Sequence, residues 1–274
     1  MMDDEGSNME ANYKKEQIWE QLHHGFFLSA MEGITNGVFC AERGGGCTML
    51  QLGIYLAEPD NYHKVTAFYA QDILPPDHQE CLEFLIHDIK AAKSATDALV
   101  CLNLASSHLE WALEAAKTFL QAGGDLIELN VHGGFTHYLS IGKMRAMIFP
   151  ENQPELYHWA EAFCEQEIPL IVKFNAKSNR TLLQQVLDHL VKTPLVGIHI
   201  NIRDEKTKQP DYNFVRKIKE IYPFFLLASG YVRSATDAKG LFEAGADMVG
   251  IAEPTVKDPG FISRLVGEYK GMTN

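Results

Sequence analysis

Three stretches of the sequence alternate polar with apolar residues in a way that could place reactive groups on one surface. They are Glu128-Leu129-Asn130-Val131-His132, Lys173-Phe174-Asn175 and His199-Ile200-Asn201-Ile202-Arg203. Successive side chains of a β-strand point to opposite faces, so the polar members of each stretch share one face. That face would combine an amine, a carboxylate, amides and imidazoles, which together can bind an anion and transfer protons.

Lys173 is the strongest single candidate, because a lysine inside a fold needs an anion or an electron-rich acceptor. A buried polar group without a partner costs about 1–3 kcal/mol. The set must therefore either meet a ligand or pair internally, for example Lys173 with Glu128. Arg203 directly follows its strand and is equally consistent with a solvated loop residue. The residues predicted to contact substrate are Glu128, Asn130, Asn175, Asn201 and Arg203.

A second informative stretch runs over residues 224–255 and predicts strand, glycine turn, helix, strand and loop. Ser229-Gly230 ends the first apolar run. Ser234 is the predicted helix N-cap, and Gly245 is typical of the residue that follows a helix C-terminus. Small-residue loops after two neighbouring parallel strands leave backbone N–H groups free to bind phosphate. The alternative is that Gly230 and Gly245 are only turn and cap residues.

The chain that positions these residues shows eight apolar, strand-like runs separated by amphipathic segments. The predicted strands cover residues 26–30, 48–52, 98–104, 125–131, 169–175, 195–200, 224–228 and 246–251. The pattern predicts an α/β fold, a single (β/α)8 TIM barrel, with an open doubly wound sheet as the alternative. Residues 57–76 are expected to be irregular, and 135–148 to form a short helix over the barrel mouth.

Composition restricts the partners. The chain has 274 residues, 46% of them apolar, and a net charge of −12 without any run of Lys and Arg, which argues against nucleic acid and anionic membranes. Five cysteines without metal-binding spacing predict reduced thiols in a cytoplasmic protein, and no signal peptide, membrane span or metal site is expected. Residues 1–24 are expected to form a tail and lead-in helix, 25–274 the barrel, and a homodimer is an option.

Several motifs in a shared order carry a family resemblance. Residues 29–36, Ser-Ala-Met-Glu-Gly-Ile-Thr-Asn, resemble the A-P-M-A-G-I-T-D of tRNA-dihydrouridine synthases, which are FMN-binding TIM barrels related to dihydroorotate dehydrogenases. Residues 127–134 are similar to I-D-I-N-M-G-C-P, 172–175 to V-K-I-R, and 229–230 to N-G. The resemblance spans about residues 26–254 and is closest to an archaeal FMN-binding subgroup whose activity is unassigned.

The resemblance implies an FMN across the barrel mouth, with NADH or NADPH as a candidate electron donor. Lys173 would meet the pyrimidine edge of the flavin, where negative charge grows on reduction. The other residues that the resemblance assigns to the cofactor are Ala30, Met31, Asn103 and His199 around the ring, and Ser229, Gly230, Ala252 and Glu253 at the phosphate.

Departures from the family pattern limit the expected activity. The family's catalytic cysteine aligns with Gly133, which leaves the neighbouring His132 as the first candidate for proton transfer. The family's phosphate-binding arginine aligns with Glu253, whose charge would repel phosphate, and the C-terminal tRNA-binding domain is not expected here.

These departures favour an FMN-dependent oxidoreductase acting on a small molecule over a true tRNA-dihydrouridine synthase. A flavin-free barrel that binds a phosphorylated small molecule is the alternative, as a lyase or isomerase using Lys173 as base or Schiff-base amine. A non-catalytic relative that senses a ligand is the third option.

Overall fold

Eight parallel strands close into a barrel in the computed structural model, which describes residues 15–69, 73–177 and 179–273. The barrel strands, in chain order, are β1 (Gly25–Leu28), β2 (Met49–Ala57), β3 (Leu99–Ser106), β4 (Leu126–Asn130), β5 (Leu170–Asn175), β6 (Gly197–Asn201), β9 (Leu226–Ser229) and β10 (Met248–Ile251). β1 pairs with both β2 and β10, which closes the barrel and confirms the predicted (β/α)8 fold. β7 (Arg203–Asp204) and β8 (Gln209–Pro210) form a small antiparallel hairpin after β6.

Helices surround the barrel. Residues 15–22 are helical (α1), and the later helices are α2 (Gly37–Arg43), α3 (Tyr62–Tyr69), α4 (His78–Ala92), α5 (Leu109–Gln121), α6 (Thr136–Ser140), α7 (Gln153–Glu165), α8 (Arg180–Leu190), α9 (Tyr212–Ile221), α10 (Ala235–Glu243), α11 (Pro254–Lys257) and α12 (Phe261–Thr273). Short 3-10 helices cover Lys93–Ala95 and Met144–Ile148. Side-chain caps fix several starts: Ser234 accepts from the N–H of Asp237, as its sequence position predicts.

The barrel interior is divided into two layers along its axis. The lower layer is an apolar plug to which Phe27, Met49, Leu126, Ile171 and Leu227 belong. Two residues further along their strands, the interior becomes polar, since Gln51 follows Met49, Glu128 follows Leu126 and Lys173 follows Ile171. The plug makes the fold a filled barrel, and the polar layer faces the carboxyl ends of the strands, where barrel enzymes bind their ligands.

The prediction for the region after strand two was wrong in two respects. β2 continues to Ala57, five residues beyond the predicted end at Leu52, and α3 occupies part of the stretch expected to be irregular. The cause is a register shift against β3 between Leu52 and Tyr55, around Gly53 with its φ of +97°. A glycine in an apolar run can mark either an irregularity within a strand or the end of that strand, so the sequence pattern alone does not distinguish these two cases.

Other expectations concern parts of the chain outside the barrel. The lead-in helix, predicted over 18–24, is present as α1, whereas the tail 1–12 lies outside the described residues, and the division into tail and barrel stays a prediction. The five cysteines are free. In the described part of the chain, no helix has the length and apolar character needed to cross a membrane.

Candidate active site

A cavity of about 430 Å³ opens at the carboxyl ends of the barrel strands. Its size is in the range of small-molecule sites, which run from about 300 to 1,000 Å³. Loops after β1, β4, β6, β9 and β10 contribute to its wall. Most of the predicted site residues line this cavity, namely Ala30, Met31, Asn103, Asn130, His132, Lys173, Asn175, Asn201, Arg203, Ser229, Gly230, Ala252 and Glu253.

The floor of the cavity is organised by the fully buried carboxylate of Glu128. It accepts hydrogen bonds from Gln51 Nε2 at 2.6 Å, from His199 Nδ1 at 2.6 Å and from the side-chain amide of Asn103. Lys173 Nζ lies 3.2 Å from its other oxygen. The five side chains come from β2, β3, β4, β5 and β6, so one carboxylate joins five consecutive strands.

Glu128 and His199 do not line the cavity, which differs from the expectation that they contact substrate and cofactor. Burial alone would raise the pKa of Glu128, but the positive charge of Lys173 and the hydrogen bonds from His199 and Asn103 outweigh it and hold that pKa below its ordinary value. Burial lowers the pKa of His199, more than Glu128 raises it. A neutral ring that donates from Nδ1 to Glu128 and accepts at Nε2 from the Ser229 hydroxyl, 2.7 Å away, fits both facts.

Lys173 both pairs internally and faces the cavity. Its ammonium contacts Glu128 and lies 3.4 Å from Ser29 Oγ, and the residue is 4% exposed. The internal pairing that the sequence left open is therefore present. An ammonium has three N–H donors, and these two partners among the described residues leave one for a ligand in the cavity.

Asn130 fixes the loop that follows β4. Its amide donates to Asn103 Oδ1 at 2.8 Å, and its Oδ1 accepts the backbone N–H of His132 at 3.1 Å and of Gly133 at 2.7 Å. A Cβ at Gly133 would lie 2.7 Å from Met144 Sδ, so a side chain there, such as the cysteine of the resembling family, requires Met144 to move.

His132 lines the cavity and is half-buried. Burial, and then the positive charges of Lys173 and Arg203, lower its pKa to about 3. The imidazole is therefore neutral at neutral pH, where it can accept a proton or donate a hydrogen bond but does not hold an extra proton.

The loop after β9 brings the backbone close to its neighbours. Gly230 has a φ of +116°, and a Cβ on it would lie 2.7 Å from Asn201 Oδ1. That oxygen also accepts Arg203 Nε at 3.1 Å. Both the dihedral and the close approach require glycine here, and Gly230 contributes bare backbone to the cavity wall beside Ser229.

Glu253 also lines the cavity, and from the family resemblance its carboxylate was expected to repel a phosphate there. Its side chain is 74% exposed and forms an ion pair with Arg233, which also lines the cavity. The charge of the carboxylate is thus partly offset, and Arg233 places in the same corner a cation that was not predicted from the sequence. The lining contains four cationic and two acidic side chains, Arg145, Lys173, Arg203 and Arg233 against Glu32 and Glu253.

The segment over the mouth, predicted at 135–148, contains α6 and the 3-10 helix Met144–Ile148. Tyr138 anchors it: the ring is fully buried against Ile54 and Met144, and its hydroxyl donates to Glu58 Oε1 at 3.0 Å. Lys143 forms a further ion pair with Glu155 of α7. These anchors place Phe135 and Arg145 on the cavity wall.

Three residues at the site, Gln51, Arg145 and Arg233, were not predicted from the sequence. Gln51 had a usable signal, because it is the single polar residue in the apolar run 49–52. The two arginines lie outside strands, where no periodicity aims a side chain. Among the described residues, no group of three or more His, Cys, Asp or Glu side chains could hold a metal ion.

Comparison with known proteins establishes the class of fold. No family model matches the chain. The structure is similar to morphinone reductase in complex with tetrahydroNAD, with a TM-score of 0.63 and 10% sequence identity over 89% of this chain and 86% of that one. At this identity the similarity shows the fold, a single (β/α)8 barrel.

A curated relative matches only a part of the sequence. The chain is 34% identical over 59 residues to imidazole glycerol phosphate synthase subunit HisF of Aeromonas salmonicida (strain A449), which is 22% of this chain and 23% of that protein. The chain thus matches less than a quarter of that protein's length.

Proposed function

We propose that the protein is an FMN-dependent oxidoreductase acting on a small molecule, and that it is not a tRNA-dihydrouridine synthase. The observation that carries the proposal is the nearly buried Lys173 ammonium on the cavity floor, held by Glu128 and Ser29 with one N–H left for an electron-rich ligand. When bound, FMN would supply hydride transfer between a nicotinamide donor and the substrate. The fold shared with a reductase bound to tetrahydroNAD supports this class.

The residues present fit the flavin. Gly230 contributes backbone to the cavity wall, and Ser229 and Arg233 line the same wall as donors for a phosphate. Ala30, Met31 and Asn103 would line the ring, since they belong to the same cavity as Lys173. His199 would act from below through Ser229 and Glu128 rather than by contact.

His132 is the residue proposed to move the proton. Its lowered pKa keeps the imidazole unprotonated, and only weakly basic, when the cavity holds no anion. An anionic ligand beside Lys173 and Arg203 would offset part of the positive potential that lowers the pKa of His132. The pKa would then rise toward the ordinary value of a histidine. Glu128 would hold Lys173 in place, and Asn130 would orient the substrate as well as the His132 loop.

Flavin binding is the direct test. FMN added to the purified protein should lose fluorescence on binding, and Lys173→Met should weaken binding under conditions in which circular dichroism shows the variant to be folded. Lys192→Met, which removes an exposed lysine after α8, is the matched control. Protein that leaves FMN fluorescence unchanged at millimolar concentration, or equal affinity in Lys173→Met and the control, would contradict the proposal.

A flavin-free barrel acting on a phosphorylated small molecule is the second candidate. The observation that favours it is the 34% identity over 59 residues to a subunit of imidazole glycerol phosphate synthase. Borohydride trapping of Lys173 with a carbonyl substrate, or phosphate-ester binding without any FMN binding, would support it. A non-catalytic role, a cytoplasmic location, a homodimer and the absence of nucleic acid partners stay predictions from the sequence.

A further inference from the structure

Two arginines at the cavity mouth, Arg145 and Arg203, form no ion pair with a carboxylate of the described residues. Seven arginines lie in the described part of the chain, and Arg43, Arg180, Arg233 and Arg264 each form an ion pair with a carboxylate there. The other three, Arg145, Arg203 and the exposed Arg216, have no carboxylate partner among the described residues, and of these Arg145 and Arg203 line the cavity. Both side chains are exposed to solvent, and they place two guanidiniums without a carboxylate partner in one wall of a chain whose acidic residues outnumber basic ones 36 to 24.

The structure makes room for both groups. A Cβ on Gly134 would lie 2.6 Å from Arg145 Cζ and within 3 Å of both terminal nitrogens, although Gly134 has no positive φ that would demand glycine. The bare backbone at Gly134 therefore lets the guanidinium pack there. Among the described residues, the guanidinium of Arg203 donates from Nε to the amide oxygen of Asn201 at 3.1 Å, and its Cζ lies 5.7 Å from the centroid of the Tyr231 ring.

The two arginines come from different elements of the fold, and neither belongs to the loop after β9, although the backbone of Arg203 lies close to Gly230 of that loop. Arg145 belongs to the 3-10 helix of the segment over the mouth, and Arg203 begins the β7–β8 hairpin. Arg233, in contrast, belongs to the loop after β9 that carries Ser229 and Gly230. A guanidinium binds a carboxylate or phosphate group through two parallel hydrogen bonds, and it keeps its charge across the accessible pH range.

We infer that the substrate is a small organic anion whose carboxylate or phosphate group binds Arg145 and Arg203 at the mouth, next to His132. That this anion is the substrate rests on the proposed function, whereas anion binding by the two arginines does not require a flavin. It predicts that charge, rather than shape, decides which molecules enter. A neutral analogue of the same skeleton should bind poorly, because it leaves both guanidiniums without a partner.

The experiment compares an acid with its amide. Dissociation constants of crotonate, crotonamide and methyl phosphate are measured by ligand-observed NMR, on the protein as purified and again with added FMN. Arg145→Gln and Arg203→Gln are tested beside Arg216→Gln, an exposed arginine on α9 whose side chain likewise contacts an asparagine oxygen instead of a carboxylate. FMN affinity is measured for every variant by fluorescence.

At least one of the two anions should bind about tenfold more tightly than crotonamide. Each cavity variant should weaken the anion about tenfold, leave crotonamide unchanged and keep FMN affinity, whereas Arg216→Gln should change nothing. The better-bound anion identifies the group as carboxylate or phosphate. Gly134→Ala should reduce anion affinity in the same direction.

Three results would overturn the inference: no measurable binding of either anion, equal binding of acid and amide, or unchanged anion affinity in both cavity variants. Loss of FMN affinity in Arg145→Gln and Arg203→Gln would also overturn it, because these arginines would then serve the cofactor. Arginine-dependent anion binding by a protein that binds no FMN would leave the anion site standing and refute the proposed oxidoreductase.

Discussion

Replacement of Glu128 by glutamine tests the organisation of the cavity floor most directly. The substitution keeps the shape of the side chain but removes the charge that pairs with the buried ammonium of Lys173. It also places an amide NH2 among donors, because Gln51 and His199 both donate to this group. Loss of one partner from a buried ion pair costs about 3–5 kcal/mol, so the free energy of unfolding of Glu128→Gln should fall by that amount at pH 7.

The pH dependence gives the prediction a sign. The pKa of Glu128 in the folded protein is lower than its ordinary value, so its contribution to stability is present above the pKa of the unfolded chain and is lost as pH falls toward the folded value. Below about pH 4 the wild type should therefore lose up to about 1.4 kcal/mol per pH unit through this group. Glu128→Gln lacks this dependence, and the difference between the two proteins should narrow on acidification.

Urea unfolding followed by circular dichroism at pH 7, 5 and 3.5 measures both effects. Glu161→Gln, which neutralises a half-exposed carboxylate beside His189, is the control and should stay within about 0.5 kcal/mol of wild type. The double variant Glu128→Gln/Lys173→Met should be at least about 1 kcal/mol more stable than the sum of the single effects predicts. A loss below about 1 kcal/mol in Glu128→Gln, or additive single effects, would show that the pair does not hold the floor together.

Three further outcomes follow from individual side chains. Lys173→Met should weaken FMN binding about 10- to 100-fold, because a hydrogen bond to a charged group contributes about 1.5–3 kcal/mol. Fluorescence titration beside the control Lys192→Met measures this, and equal FMN affinity in the two variants would show that Lys173 has only a structural role. Gly230→Ala should lower the free energy of unfolding by about 1–3 kcal/mol and also weaken flavin binding, because residue 230 has a φ of +116° and the added Cβ would meet Asn201 Oδ1. An unchanged thermal unfolding temperature would contradict this strain. The imidazole of His132 should not titrate between pH 5 and 8 in ligand-free protein, because burial and nearby cations lower its pKa to about 3, and an NMR inflection in that range would refute this charge assignment.

Periodicity predicted the barrel and much of the cavity because both depend on alternation along strands. Lys173, Asn130 and Asn201 line the cavity, as the period of two in their strands predicted. Glu128 and His199 obey the same period, but they are fully buried two residues before the cavity-lining Asn130 and Asn201 and do not line the cavity themselves. Alternation determines the face to which a side chain points, and it does not determine its depth along the barrel axis.

The remaining parts of the site depend on contacts between segments distant in the chain. Gln51 lies inside the predicted strand 48–52, but its partner Glu128 is 77 residues away, and alternation within one strand does not show that the two meet. Arg233 offsets the charge of Glu253 from a position twenty residues away, a pairing that no local pattern reveals. Arg145 reaches the cavity only because Tyr138 and Met144 anchor its segment in the core.

The five-strand junction at Glu128 has a consequence for any attempt to give this barrel a new specificity. Residues of the floor share a single acceptor, so replacing one of them changes the environment of the other four, and a useful substitution there would have to come as a matched set. The rim is different, because Arg145 and Arg203 belong to separate elements and contact few neighbours. A directed-evolution library would therefore lose fewer folded members by varying these rim positions one at a time than by varying the polar layer underneath.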